Sequence, residues 1–192
     1  MVQFNQHTKN DKSPYKKHTT TISEMEKITK EDDVENVEVL HNAGVMTLLR
    51  PLLLDCVPNI QQTASLALAR LASFSQELAE AIVHENILIQ LVYSLKEQNR
   101  YNKKAAAGVV RAIAKHSPAL AQAVVNAGAL QPLILSLEEF DPAVKEMAAG
   151  ALGHIVRHTA RLAQVVVDAG GVSLLLLAIQ VPLQKLLPHY CE

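Results

Sequence analysis

Large aliphatic residues recur along this chain every 42 residues, in a purely helical pattern. The repeated slots that hold them are Leu49, Leu91, Leu133 and Leu175; Leu53, Leu95, Leu137 and Ile179; and Leu78, Leu120 and Leu162. Smaller side chains keep the same period at Ala64, Ala106 and Ala148, and at Val83, Val125 and Val167. Helices that approach closely need large side chains to alternate with small ones. The pattern therefore predicts a stack of similar helical units.

A second periodic feature is a slot for glycine or asparagine, at Gly44, Asn86, Gly128 and Gly170. These residue types tolerate the left-handed backbone conformation that ends many helices, so the slot predicts a helix C-cap in every unit. A repeat of this length built only of helices is typical of the armadillo and HEAT classes. We therefore predict an all-α, right-handed helical solenoid of the armadillo type, which works as an extended binding surface.

Each unit is expected to contain three helices. Cap and proline signals place them at about residues 76–85, 87–97 and 101–116, and again 42 residues later. Ser117-Pro118 and Asp141-Pro142 each place an N-cap residue before a proline at the first helical position. The predicted repeats are 34–75, 76–117, 118–159 and a partial fourth at 160–180.

The two ends of the chain differ from the repeats. Residues 1–33 form a polar leader that we expect to be disordered, since residues 1–30 carry six lysines against three acidic residues and almost no aliphatic ones. An acidic run at 31–38 suits the start of a helix running to Leu40. Residues 181–192 form a divergent tail, and Pro182 and Pro188 are expected to interrupt the third helix of the fourth unit.

An incomplete fourth unit leaves an apolar face formed by Val172, Leu175, Leu176 and Ile179. Three arrangements remain open from the sequence. The segment Leu183 to Leu187 folds back over this face, a second copy docks end to end, or the end frays.

Composition excludes several classes of function. The chain has 18 basic and 19 acidic residues, which argues against a general nucleic-acid binder. No apolar stretch reaches the roughly 18 residues of a membrane span, so no membrane partner is expected. Two cysteines are too few for a disulfide framework and favour a reducing compartment. Without a phosphate loop, paired carboxylates or a nucleophile with its base, we predict no enzyme activity and no cofactor.

Several phrases resemble the sperm-associated antigen six family of armadillo proteins, namely residues 42–54, 60–64, 90–95 and 115–118. The resemblance spans Val39 to Gln180 and includes the surface-facing segment Lys96 to Arg100. It implies a structural component of the axonemal central apparatus that supports ciliary or sperm flagellar motility. Its partners would be central-apparatus proteins or microtubules, in the cytoskeleton of a cilium or flagellum. Residues 1–37, the residues after Gln180 and the missing later repeats depart from the family, as in a truncated or diverged copy.

Armadillo grooves that hold extended basic peptides, as in nuclear-import adaptors, carry a tryptophan on each third helix and an asparagine four residues later. The tryptophan-equivalent slots here are Leu66, Gly108 and Gly150, and the asparagine-equivalent slots are Arg70, Ala112 and His154. This chain has no tryptophan, so it lacks the side chains for cation stacking. A glycine inside a helix also costs about 1 kcal/mol relative to alanine.

The third helices carry cations instead. The candidate partner surface is Arg70, Lys103, Lys104, Arg111, Lys115, Lys145, His154 and Arg157. A basic stripe of this kind would attract an acidic partner such as a tubulin tail. The competing interpretation is that Lys115, Arg157, His116 and His158 simply complement the dipoles at helix C-termini.

Other candidate sites are weaker. His154 and His158 are spaced for two metal ligands but lack the His-Glu-x-x-His pattern, so no metal site is predicted. Cys56 lies in a turn without a histidine partner, and Ser13 precedes a proline in the leader, as in a proline-directed phosphorylation site. The alternatives to an axonemal scaffold are a soluble armadillo adaptor for peptides and a truncated copy with little function.

Overall fold

The computed structural model describes Val39 and residues 42–186, with side chains to residue 178. The leader at 1–33, the acidic helix start, Ser13, Cys191 and the end of the tail lie outside the described residues. Within them the chain forms ten α-helices and no strand. The helices are α1 Val45–Leu52, α2 Pro58–Phe74, α3 Gln76–His84, α4 Ile87–Lys96, α5 Arg100–Ala114, α6 Pro118–Asn126, α7 Leu130–Leu135, α8 Pro142–Val156, α9 Ala160–Asp168 and α10 Gly171–Leu186.

The helices group into the predicted three-helix units. Helices α3, α4 and α5 form one unit and α6, α7 and α8 the next, with one 3-10 turn, Ser136–Glu138, extending α7. Their bounds lie within a few residues of those predicted from the sequence. The most extensive contacts between elements join α5 to α2 and to α8. The long third helices α2, α5 and α8 therefore stack side by side through the described repeats.

The glycine and asparagine slot has the left-handed conformation that the sequence predicted. The φ angles are +73° at Gly44, +58° at Asn86, +82° at Gly128 and +79° at Gly170. At the end of α6 the amide of Gly128 donates to the carbonyl of Val125, and the amide of Ala129 donates to that of Val124. This pair of bonds satisfies carbonyls that the helix itself leaves open. It also turns the chain from the first helix of a unit into the second.

Hydroxyl side chains begin the first helices at a second repeated slot. Ser75, Ser117 and Thr159 each accept a hydrogen bond from the backbone amide three residues ahead, at 3.2 Å. Asp141 accepts from the amide of Ala143 at 2.9 Å, at the start of α8. The N-caps predicted at Ser117 and Asp141 are thus confirmed.

The core follows the leucine and alanine slots. The residues at the slots of Leu49, Leu53, Leu78 and Ala64 are buried in three successive repeats. Leu175, the fourth residue in the slot of Leu49, is half-buried and packs against the core. The valine slot differs from the expectation. Val83 and Val125 are half-buried and Val167 is 49% exposed. This slot lies in the last turn of each first helix, at the rim of the core.

The prediction for the region around Pro182 was wrong in one respect, because α10 continues through it to Leu186. A proline removes one backbone hydrogen bond and kinks a helix, but helical residues on both sides can keep the helix continuous. The fourth unit therefore has a longer second helix than expected. Val172 and Leu176, on the face expected to lack a neighbour, are exposed.

Among the described helices, no single one is long and apolar enough to cross a membrane. Two bent pairs, α6 with α7 and its 3-10 turn, and α9 with the start of α10, meet the length and composition criterion only when each pair is counted together.

We expect Gly128→Ala to lower the free energy of unfolding by about 1 kcal/mol or more, because alanine is strained at positive φ. Gly108→Ala is the control with opposite sign. Gly108 lies inside α5, and a Cβ there would have no heavy atom within 4 Å. That variant should raise the free energy of unfolding by about 0.5–1 kcal/mol through helix propensity. Urea titrations followed by circular dichroism measure both, and shifts of the same sign would contradict the assignment.

Candidate functional site

The third helices enclose a groove of about 650 Å³, which is lined by residues of α2, α5 and α8. Its lining includes Leu66 and Gly108, at tryptophan-equivalent slots, and Ala112, at an asparagine-equivalent slot. The missing tryptophan ladder leaves open space above α5, because nothing lies within 4 Å of a Cβ added at Gly108. The groove is therefore wider at this point than one that carries a large side chain.

Gly150 has a different neighbour. A Cβ added there would lie 2.9 Å from Nε and 3.0 Å from Cδ of Arg111. The Arg111 side chain thus crosses from α5 onto α8, in the space that Gly150 leaves. A guanidinium nitrogen of Arg111 also lies 3.8 Å from the sulfur of Met147, a weak acceptor. This contact joins two repeats and has no counterpart among the patterns readable from the sequence.

The groove is positively charged. Its lining includes Lys104, Arg111, Lys115 and His154, and among the described residues that line it there is no aspartate or glutamate. The pKa of His154 is lowered, first by its partial burial and then by the charges of Arg157, Arg111, His158 and Lys115. These cations oppose a further positive charge at this point. An anion would experience the same field as attraction.

Lys115 and Arg157 have a structural role as well. The ammonium of Lys115 donates to the carbonyl of Ser73, 2.7 Å away, and the guanidinium of Arg157 donates to the carbonyl of Lys115. Ser73 lies in the last turn of α2 and Lys115 follows the last residue of α5. Each cation therefore caps the third helix of the preceding repeat, whose last carbonyls have no partner within the helix.

A row of histidines repeats this arrangement. Nε2 of His116 lies 2.5 Å from the carbonyl of Ala72, and Nε2 of His158 lies 2.7 Å from that of Ala114. Since a carbonyl only accepts, Nε2 carries the hydrogen in both rings. Capping of helix C-termini is the competing interpretation of these positions. In the structure each histidine caps the third helix of the preceding repeat. The sequence did not indicate which helix would be capped.

The remaining candidate cations lie elsewhere. Lys103, whose side chain is 12% exposed, forms an ion pair with Glu139 in the loop before α8. Lys145 is half-buried on α8 and is not among the described residues that line the groove. Arg70 is half-buried on α2, in the slot that it shares with Ala112 and His154. The basic stripe predicted from the sequence is thus divided between a groove and two sets of contacts between repeats.

Among the described residues, those considered for metal binding or catalysis lack the further ligands that a metal site needs. In the part of the chain that the structure describes, no three histidine, cysteine, aspartate or glutamate residues are grouped to hold a metal ion. His158 is bound to a helix carbonyl, and Cys56 is exposed in the bend between α1 and α2.

Comparison with known proteins supports the fold. A family model described as Armadillo/beta-catenin-like repeat matches residues 117–157, which contain α6, α7 and α8. A designed armadillo repeat protein in complex with the peptide (KR)4 superposes with a TM-score of 0.81 over 86% of this chain and 69% of its own, at 24% identity. An engineered protein superposes with a TM-score of 0.72 at 29% identity, over 82% of this chain and 62% of its own. The chain has the armadillo fold that the 42-residue period predicted.

The resemblance to sperm-associated antigen six is also confirmed. Over 72 residues this chain is 69% identical to "Sperm-associated antigen 6" of Mus musculus and 68% identical to that of Homo sapiens. The matched region is 38% of this chain and 14% of the length of either relative. It is shorter than the span from Val39 to Gln180 that the resemblance suggested.

Removal of the capping cations should cost stability. We expect Lys115→Met and Arg157→Met each to lower the free energy of unfolding by about 0.3–1 kcal/mol, the usual effect of a cation at a helix C-terminus. Arg161→Met is the matched control, because Arg161 is exposed in the first turn of α9, where a cation has no favourable interaction with the dipole. Denaturant titration measures the three variants, and equal effects at all three positions would contradict the capping role.

His154 should titrate below the ordinary histidine pKa of about 6.5. Because its folded pKa is lowered, the stability that the neutral ring contributes is complete above the unfolded pKa and is lost as the pH falls through the folded one. Arg111→Met should raise the pKa of His154, since it removes one of the opposing cations. NMR titration of the ring protons measures the change. Arg161→Met should leave the pKa as it is, and an unchanged pKa in Arg111→Met would contradict the field described above.

Proposed function

We propose that this chain is a non-catalytic scaffold that binds a segment of a partner protein in the groove of its third helices. The observation that carries the proposal is the groove itself, an open space of about 650 Å³ with polar and cationic side chains on a rigid stack of helices. Armadillo repeats without a catalytic constellation present surfaces of this kind to extended partners. In the described part of the chain, no three histidine, cysteine, aspartate or glutamate side chains are grouped as metal ligands.

We further propose that the scaffold is a structural component of the axonemal central apparatus, and that it supports ciliary or flagellar motility. The support is the 69% identity to sperm-associated antigen 6 over 72 residues. The partner would be a central-apparatus protein or a microtubule, and the location the axonemal cytoskeleton of a cilium or sperm tail.

A soluble adaptor for peptides is the second candidate. One observation favours it, because an armadillo protein of the same fold binds the peptide (KR)4. The charge of the present groove disfavours that kind of ligand, since its cations would repel lysine and arginine. An adaptor role therefore requires a ligand that is not positively charged. It also predicts that detergent releases the protein from cells.

The experiment is localisation of the fluorescently tagged full chain in multiciliated cells, followed by detergent extraction that leaves the axoneme. Full-length sperm-associated antigen 6 is the positive control. We expect at least half of the ciliary signal of this chain to be retained along the axoneme. A diffuse signal that is fully extracted, at a protein level equal to that of the control, would contradict the axonemal role.

The scaffold proposal has a separate test in the same cells. Crosslinking from a photoreactive amino acid placed at Gln62, in the lining of the groove, should capture a discrete partner protein. The same probe at Arg161, exposed on α9, is the control and should not capture that partner. Identical products from both positions would contradict binding in the groove.

A further inference from the structure

The chemistry of the groove selects the charge of its ligand. We propose that it binds an extended peptide segment rich in glutamate or aspartate, with Arg111 as the principal contact and Lys104, about two turns earlier on α5, as a second one. This inference rests on the proposed function, in which the groove is the partner-binding surface. It adds the class of ligand and the residues that determine specificity.

Charge complementarity is the first argument. The described lining combines the cations Lys104, Arg111 and Lys115 without a carboxylate to neutralise them. The only aromatic residue in that lining is Tyr101, which is 51% exposed and already lies under the guanidinium of Arg100. The groove therefore lacks both the acidic groups and the stacking surfaces that a basic peptide needs.

Arg111 is the residue best placed for a carboxylate. Its side chain extends over Gly150, and among the described residues its hydrogen-bond partner is a weak acceptor, the sulfur of Met147. A planar guanidinium can donate two parallel hydrogen bonds to one carboxylate, and binding would give up little in exchange. Lys115 is different, because its ammonium already donates to the carbonyl of Ser73. Its charge adds to the positive field of the groove, and its hydrogen bond to Ser73 stabilises the stack of helices.

The shape of the groove favours an extended chain. Its lining comes from α2, α5 and α8, three helices in succession across the solenoid. Packed helices lie about 8–10 Å apart, so two steps span roughly 16–20 Å. An extended chain covers about 3.3–3.6 Å per residue, so five or six residues cross all three helices. An octapeptide is therefore long enough to serve as a probe.

The test is a fluorescence-polarisation titration of the full chain with octapeptides carrying a dye without net charge. The probes are eight glutamates, the alternating lysine-arginine peptide (KR)4 and a glycine-serine peptide of equal length. We expect the glutamate peptide to bind at least tenfold more tightly than the other two at about 0.15 M salt, and to weaken as salt is raised. Equal binding of the glutamate and glycine-serine peptides, or tighter binding of (KR)4, would overturn the proposal.

Variants then test the residue assignment. Arg111→Met should weaken binding of the glutamate peptide by about tenfold or more, the loss expected from a charged hydrogen bond. Arg161→Met removes the same charge on an exposed surface of α9 and should change the affinity less than twofold. Equal losses in the two variants would show attraction by overall charge alone and would overturn the site.

Gly150→Ala provides a variant that keeps every charge. The added methyl group would lie 2.9 Å from Nε of Arg111, so the arginine must move from its present position. We expect a severalfold loss of affinity for the glutamate peptide. Gly153→Ala, on the exposed side of the same helix and outside the described lining, should change the affinity less than twofold. Circular dichroism confirms that each variant is folded, and Lys104→Met replaces Arg111→Met if the latter does not fold. The assignment would be overturned if Gly150→Ala and the charge-removing variant, Arg111→Met or Lys104→Met, both kept their affinity for the glutamate peptide.

The outcomes separate this inference from the proposed function. If the chain remains on extracted axonemes and crosslinks from position 62 but fails to prefer the glutamate peptide, the ligand class is wrong and the scaffold proposal stands. If it prefers the glutamate peptide but is fully extracted, the axonemal role is wrong and the ligand class stands.

Discussion

The structure depends on the packing of the third helices against one another. Ala64, Ala106 and Ala148 recur at one slot of these helices and are fully buried. A small residue at this position allows close approach of neighbouring backbones, while leucines fill the remaining volume. Both features of the molecule that matter for binding follow from this stack. It creates the groove between α2, α5 and α8, and it places each repeat close enough to cap the one before.

The cations of the third helices are divided between two tasks by that geometry. Lys115 and Arg157, in one slot, donate to carbonyls 42 residues earlier in the chain. Arg111, four residues before Lys115, extends instead into the next repeat, over Gly150. Lys115 thus contributes to the positive field of the groove and also stabilises the stack through its hydrogen bond to the carbonyl of Ser73.

The two glycines inside the third helices have different surroundings in the groove. From the sequence, Gly108 and Gly150 both replace an aromatic residue and both reduce helix propensity. In the structure, Gly108 faces open space, whereas Gly150 is the surface on which Arg111 lies. The groove therefore differs from a tryptophan-lined one in shape as well as in charge. Arg111 lies over Gly150, at the slot where a tryptophan would stack with a basic side chain of a peptide.

Local signals in the sequence determined the helices, their caps and the period. Gly128 is left-handed and Ser117 and Asp141 are N-caps because these conformations depend on a few neighbouring residues. The list of basic candidates was likewise readable, and four of them line the groove. Which cation caps a helix, which one pairs with Glu139 and which one lies over Gly150 was decided only by the tertiary structure. The partners of Lys103, Lys115 and Arg157 lie 36 or 42 residues away, and only the stacking of repeats brings such residues into contact.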